Sequence, residues 1–234
     1  MSGNPIRTVL CVASVEPLKD PALYRKAYLS VTEKRQRKAD RYVFEKDKRL
    51  CVGAELLLRE TLLLSGAGPV IPETEEAEYG KPYLKEHPEI RFNLSHSGNR
   101  VLCAVSDREV GCDIEEITRT PNIAMMNRFF YQTEFEKILQ AGSPEAQTEM
   151  FFRFWTLKES FMKMKGLGMH LEPGTFGILL GKSEPHLIGG EDGPCTVAFR
   201  EYGTVPGYKC ALCIENASEQ TELETVDLFR ETMG

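Results

Sequence analysis

The spacing of apolar and polar positions changes several times along the chain, and each change marks an element. Residues 7–15, Arg-Thr-Val-Leu-Cys-Val-Ala-Ser-Val, are rich in β-branched side chains and read as a buried strand. Pro17 and Pro21 break it, and a helical pattern starts near Ala22. Over residues 48–65, Leu50, Ala54, Leu57, Leu58 and Thr61 share one helical face and Gly66 follows as a stop. Gly53 inside that helix is unfavourable by about 1 kcal/mol relative to Ala, which calls for close packing there. Residues 66–78, with Pro69, Pro72 and several glutamates, read as a loop. Residues 90–95 alternate apolar and polar as a half-buried strand, and further strands are expected over 100–105 and 110–114. Residues 118–140 return to a helical pattern, Gly142-Ser143-Pro144 interrupts it, and 144–165 resume it. Strands over 175–180, 196–202 and 207–214 follow, and the acidic residues 220–233 read as a loosely held tail. The sum predicts an α+β protein, with small, mostly antiparallel sheets packed by helices.

Two of these elements carry candidate chemistry. In the helix over 154–168, Leu157, Phe161 and Met164 form an apolar stripe that ends at Gly166 and Gly168. Glu159 and Lys163 lie one turn apart and can converge on one object; Lys158 stands beside them and Trp155 one turn earlier. A surface ion pair worth about 0.3–0.5 kcal/mol accounts for the same spacing. In Gly111-Cys112-Asp113-Ile114-Glu115, period two puts both carboxylates on one strand face and Ile114 on the other. Two such oxygen ligands suit Mg²⁺, with Glu159 as a third; an exposed acidic strand end, extended by Glu116, is the plainer alternative.

Composition narrows the setting. A chain of 234 residues with 41% hydrophobic and 27% charged content can bury a substantial core and reads as a soluble globular protein. No run approaches 18 apolar residues and the N-terminus lacks a leader pattern, so neither a membrane span nor a signal peptide is expected. The seven cysteines are scattered, and Cys210 and Cys213, the one C-x-x-C pair, would face opposite ways on a strand. Reduced thiols in the cytoplasm, without zinc, are the expectation. A net charge of −6 argues against nucleic-acid binding. Residues 34–49 reverse that sign, with Lys34, Arg35, Arg37, Lys38, Arg41, Lys46, Lys48 and Arg49 against Asp40, Glu45 and Asp47. Such a stretch attracts phosphates, or serves as a solvated helix face.

Taken in order, Gly80-Lys81-Pro82, Phe92-Asn93-Leu94-Ser95-His96-Ser97, Gly111-x-Asp113-Ile114-Glu115 and Trp155-x-x-Lys158-Glu159-x-x-x-Lys163 resemble the 4′-phosphopantetheinyl transferase superfamily. The spacing is similar to its surfactin-synthetase-activating type, a single chain of double size, over about residues 30–215. Arg128-Phe129-Phe130, Thr133-Glu134 and Pro206-Gly207-Tyr208-Lys209 add to the likeness; Cys112 and Ser160 are its small departures. The resemblance implies two similar α+β halves, 1–107 and 108–234, with the active site between them. It implies Mg²⁺-dependent transfer of 4′-phosphopantetheine from coenzyme A to a serine of apo carrier proteins, releasing 3′,5′-ADP. Those carriers belong to fatty-acid, polyketide or nonribosomal peptide synthases, and the enzyme acts as a monomer.

By the same likeness Asp113, Glu115 and Glu159 hold Mg²⁺, or Mn²⁺ in its place. Lys163 and His96 donate to the pyrophosphate. Lys34 and Arg37, joined by Arg49, meet the 3′-phosphate, and Lys81 and Ser95 line the nucleotide. Glu159, Lys158 or a metal-bound water takes the serine proton. Met125 and Met126 serve as core, or as a soft surface for a carrier helix. A Ser95–His96 hydrolase is excluded, because neighbours on a strand diverge and no G-x-S-x-G elbow exists. A non-catalytic coenzyme A binder would not need three metal carboxylates. A Mg²⁺-dependent phosphodiesterase that hydrolyses coenzyme A stays open as a rival.

Overall fold

The β-branched run near the N-terminus forms strand β1 (Val9–Ser14), whose first five residues are buried. In the computed structural model, which describes residues 6–117, 121, 127–181, 184–189, 196–216 and 221–229, the chain divides into two units. The first comprises Met1–Glu76, Pro82–Asp107 and Thr221–Gly234; the second, Ala77–Lys81 and Arg108–Gln220.

In the first unit, helix α1 (Pro21–Ser30) starts where the Asp20 carboxylate accepts from the Leu23 N–H at 2.8 Å. Helix α2 (Glu33–Asp40) is capped by Thr32, and helix α3 (Glu45–Ser65) stops at Gly66, whose φ of +90° suits glycine. Strands β4 (Arg91–Ser97), β5 (Arg100–Ser106) and β11 (Leu223–Thr225) join β1 in a sheet of order β11-β1-β5-β4. The β1–β5 and β5–β4 pairs are antiparallel and β1–β11 is parallel. Leu57, Leu58 and Leu62 of α3 meet Val101, Cys103 and Val105 of β5 in one core. Each such apolar side chain contributes about 1.5–3 kcal/mol on full burial. Gly53 is explained here: a Cβ would stand 2.4 Å from Val15 Cγ1, so only glycine lets α3 lie this close.

The second unit repeats the plan of a sheet with a long helix on it. Strands β6 (Val110–Glu116), β9 (Val197–Tyr202) and β10 (Tyr208–Glu215) form an antiparallel sheet of order β6-β10-β9. Helix α4 (Gln132–Leu139) precedes helix α5 (Pro144–Lys165), which packs on β6 and β10. The α5 boundaries match the sequence expectation, since Ser143 Oγ caps its start and Gly166 (φ +71°) ends it. Phe154, Leu157 and Phe161 bury against Phe176, Phe199 and Ala211. Strands β7 (Phe176–Leu179) and β8 (His186–Gly189) pair beside them.

Two expectations need correction. The tail belongs to the first unit rather than to a 108–234 half: β11 pairs with β1 and Phe229 is buried in that core. The stretch 66–78 contains β2 (Thr74–Glu76), which pairs with β3 (Pro82–Leu84) around the Gly80 turn. Of the stretch 118–140, residues 118–120 and 122–126 lie outside the described residues; the rest holds a short 3₁₀ turn, Asn127–Phe129, and helix over Gln132–Leu139. Met125 and Met126 lie outside the described residues.

Candidate active site

Strand β6 meets helix α5 through Gly111. A Cβ there would stand 2.1 Å from the Ser160 carbonyl oxygen and 2.3 Å from the Met164 nitrogen, both helix backbone. No side chain fits, so this glycine sets how near the acids of β6 come to α5. Gly111→Ala should therefore cost about 1–3 kcal/mol through overpacking, read as a lower urea midpoint as β6 and α5 separate.

Two residues beyond Gly111, Asp113 is buried, and Lys163 Nζ donates to its Oδ1 at 2.5 Å. Ile114 turns into the core, and Glu115, half-buried, sits opposite Lys209 in the β6–β10 register. Glu159, also half-buried, lies one turn before Lys163 on α5. Burial pushes the Glu159 carboxyl above the usual range; Lys163 opposes this, and Asp113 and Glu115 add to it. Burial would lower the Lys163 ammonium, but the charge and hydrogen bond of Asp113, helped by Cys112 and Glu159, together hold it above the usual range. Asp113, Glu115, Glu159 and Lys163 thus act on one another electrostatically within the second unit.

Lys158 does something else. Its side chain has 0% exposure and donates to both Glu134 oxygens, at 3.1 and 2.8 Å, and to the Phe176 carbonyl at 2.6 Å. Its ammonium also lies 4.2 Å from the Phe176 ring centroid. Glu134 in turn accepts from the Tyr131 N–H at 2.8 Å and the Ile178 N–H at 2.6 Å. One buried pair thereby ties α5 to the start of α4 and to β7. Burial pushes the Glu134 carboxyl up and the Lys158 ammonium down, and each opposes the other's shift. Lys158 as the base that takes the serine proton is corrected: its donors are filled and it has no open side. Glu134 was missed as a structural acid, although a glutamate three residues into a helix start is a readable sign of N-terminal capping.

The cations expected at the nucleotide separate into groups. In the first unit Lys34 and Arg37 of α2 line a groove of about 500 Å³ with Thr74, Glu75 and Lys85. The Lys34 ammonium donates to the Thr74 carbonyl, and Arg37 pairs with Glu33 at 3.2 Å in an exposed i, i+4 contact. Lys85, which sequence reasoning left out, reaches Glu75 at 3.2 Å. Arg49 stands in the first turns of α3, outside that lining; the Glu16 carboxyl is lowered chiefly by Lys19 and Asn99, with Arg49 a minor contributor. Ser95, buried, and His96, exposed, take opposite faces of β4, also outside the groove lining. Lys81 is corrected. Its ammonium donates to Glu109 Oε2 at 2.7 Å, the Met164 carbonyl at 2.7 Å and the Val110 carbonyl at 3.3 Å. All three of its protons are committed, so it staples β6 to the end of α5 rather than offering them to a nucleotide.

A metal is implied by three acids, and their chemistry suits one: hard oxygen donors whose like charges already raise Glu159. As placed, however, no three carboxylate, histidine or cysteine groups among the described residues stand close enough to hold an ion. Asp113 is bonded to Lys163 instead. The six described cysteines, including Cys210 and Cys213, are buried and form no disulfide. Burial pushes the Cys11 thiol up to about 11 and Cys210 up to about 12, too high for nucleophiles near neutrality. Among the described residues no helix is long and apolar enough to cross a membrane.

A strand with two acids pressed through a glycine onto a helix with Glu and Lys one turn apart defines a class of α+β protein equipped for phosphate chemistry. Comparison makes that class specific. A family model described as the 4′-phosphopantetheinyl transferase superfamily matches residues 109–213, and one for the N-terminal part of 4′-phosphopantetheinyl transferases matches 17–108. A 4′-phosphopantetheinyl transferase of Bacillus subtilis is 35% identical over 79% of this chain and 82% of its own length. The transferase Sfp of B. subtilis strain 168 is 37% identical over 58% of this chain and 60% of its own. The transferase psf-1 of Bacillus pumilus is 34% identical over 81% and 82%. The chain belongs to the 4′-phosphopantetheinyl transferase superfamily and is an enzyme of that class.

Proposed function

We propose that this enzyme takes 4′-phosphopantetheine from coenzyme A and attaches it to a serine hydroxyl of an apo acyl or peptidyl carrier protein. The serine oxygen forms a bond to the β-phosphorus, the bond to the bridging oxygen breaks, and 3′,5′-ADP leaves with the electron pair. In the first unit, Lys34 and Arg37 are assigned to the 3′-phosphate. In the second, Lys163 donates to the pyrophosphate, a charge-assisted bond roughly twice as strong as a neutral one. Asp113, Glu115 and Glu159 would hold Mg²⁺, which when bound offsets negative charge on the phosphate oxygens. Glu159 also takes the serine proton, directly or through water, since Lys158 is committed elsewhere. The observation that carries this reading is 35% identity to a named transferase across 82% of that protein, together with the Asp113–Lys163 bond beside Glu159. We place the enzyme in the cytoplasm, which the buried, unbridged thiols support, and take it to act as a monomer.

Incubation of an apo carrier with coenzyme A and Mg²⁺, followed by intact-mass spectrometry, tests the reaction. Transfer adds the phosphopantetheine mass to the carrier. An unchanged carrier with coenzyme A cleaved would favour a phosphodiesterase instead. A panel of acyl, polyketide and peptidyl carriers then ranks the partners. For the groove, combined Lys34→Ala and Arg37→Ala should raise KM for coenzyme A about tenfold and KM for dephospho-coenzyme A much less. Equal effects on both would remove those cations from the 3′-phosphate.

A further inference from the structure

The groove cations ride on a short helix with almost no apolar face of its own. Helix α2 is eight residues long, strongly polar, and buries only Ala39, near its far end. Helices this short are marginal unless tertiary contacts fix them. What fixes the near end is Glu55, on the neighbouring helix α3 and 1% exposed. Its Oε1 accepts from the Thr32 N–H at 2.7 Å and from Arg59 Nη2 at 2.7 Å. Its Oε2 accepts from the Thr32 hydroxyl at 2.7 Å and from Arg35 Nε at 3.3 Å. The Thr32 hydroxyl, having donated to Glu55, accepts from the Arg35 N–H at 3.3 Å and so closes the first turn. Arg59 is anchored on its other side by the Ser30 carbonyl at 2.8 Å, which ties the end of α1 into the same arrangement. Lys34 and Arg37 therefore flank a residue, Arg35, that a buried carboxylate holds both by side chain and through its cap. Glu55 itself is absent from the groove lining.

We propose that Glu55 is a positioning residue: it sets the rotation of α2, and through it the ability of Lys34 and Arg37 to tell a 3′-phosphorylated nucleotide from its dephospho form. This rests on the assignment of those cations to the 3′-phosphate. A fold-holding role alone would lower stability and leave substrate preference untouched, whereas positioning appears in the preference.

The test uses the full chain with Glu55→Gln, which keeps the shape, removes the charge and turns an N–H₂ toward donors. At saturating apo carrier, KM for coenzyme A should rise about fivefold, the weight of roughly 1 kcal/mol in a binding contact, with KM for dephospho-coenzyme A and kcat within about twofold. Should the Gln variant lose its cooperative melt, Glu55→Asp carries the test, since it keeps the charge and withdraws it from Thr32 by one methylene. A lower melting temperature with an unchanged ratio of the two KM values overturns the proposal. Lys34→Ala with Arg37→Ala in the wild-type background separates the two levels. If that pair erases the ratio and neither Glu55 variant moves it, positioning by Glu55 fails and the groove assignment stands. If the pair leaves the ratio intact, both fail.

Discussion

Glu159→Gln should lower kcat for carrier modification by about a hundredfold or more, with a melting temperature equal to or above that of the wild type. The two readouts move apart for one reason. Burial disfavours the Glu159 charge most; Lys163 offsets part of that, and Asp113 and Glu115 repel the charge further. Without a cation the fold gains little from that charge, so an isosteric neutral group is tolerated. The reaction does need the charge, to help hold a divalent ion and to accept a proton. A second measurement ties the effect to metal: added Mg²⁺ should raise the melting temperature of the wild type and raise that of the Gln variant less, because a ligand stabilises by its affinity for the folded state. Near-normal turnover in the variant, or equal Mg²⁺ effects in both proteins, would remove Glu159 from the site.

Lys158→Met should be the most damaging single change to stability, at about 3–5 kcal/mol in urea unfolding, because it leaves the Glu134 carboxylate buried without its cation. Glu134→Gln alone should cost a similar amount by stranding the ammonium. The double variant, Glu134→Gln with Lys158→Met, should recover much of the loss, since a neutral amide and a thioether replace two charges that were costly to dehydrate. The cycle also decides a chemical question. A folded double variant that keeps substantial turnover shows that the lysine next to Glu159 takes no part in proton transfer. A stable single variant with no activity would return Lys158 to the chemistry.

The contrast between these neighbours explains what could be read from the chain. Long elements with a clear period were legible: α5 over 144–165, the alternation in β4, and the run that became β1. The acids of β6 were legible because period two leaves no choice of face. Short strands were not: β2, β3 and β11 have three residues each and carry no period to detect. Lys158 was misjudged because proximity to Glu159 in sequence was taken for proximity in space. It lies four residues after Phe154 and three before Phe161, both buried, so helical geometry places it on the apolar stripe while Glu159 turns away. Glu55 was readable on the same ground, as a carboxylate among the buried residues of α3 with Arg59 one turn on. Lys81 was not, because the carbonyls it serves are 29 and 83 positions distant.

The parallel pairing of β11 with β1 joins two segments that lie far apart in the sequence. On a ribosome, β1 must wait through roughly two hundred codons for that neighbour, its outer hydrogen-bonding edge meanwhile open to stray pairing. The second unit, bounded by Arg108 and Gln220 apart from one short turn, has no such wait. Pairing of β11 thus completes the sheet of the first unit late, and a stop codon before Leu223 would leave it one strand short.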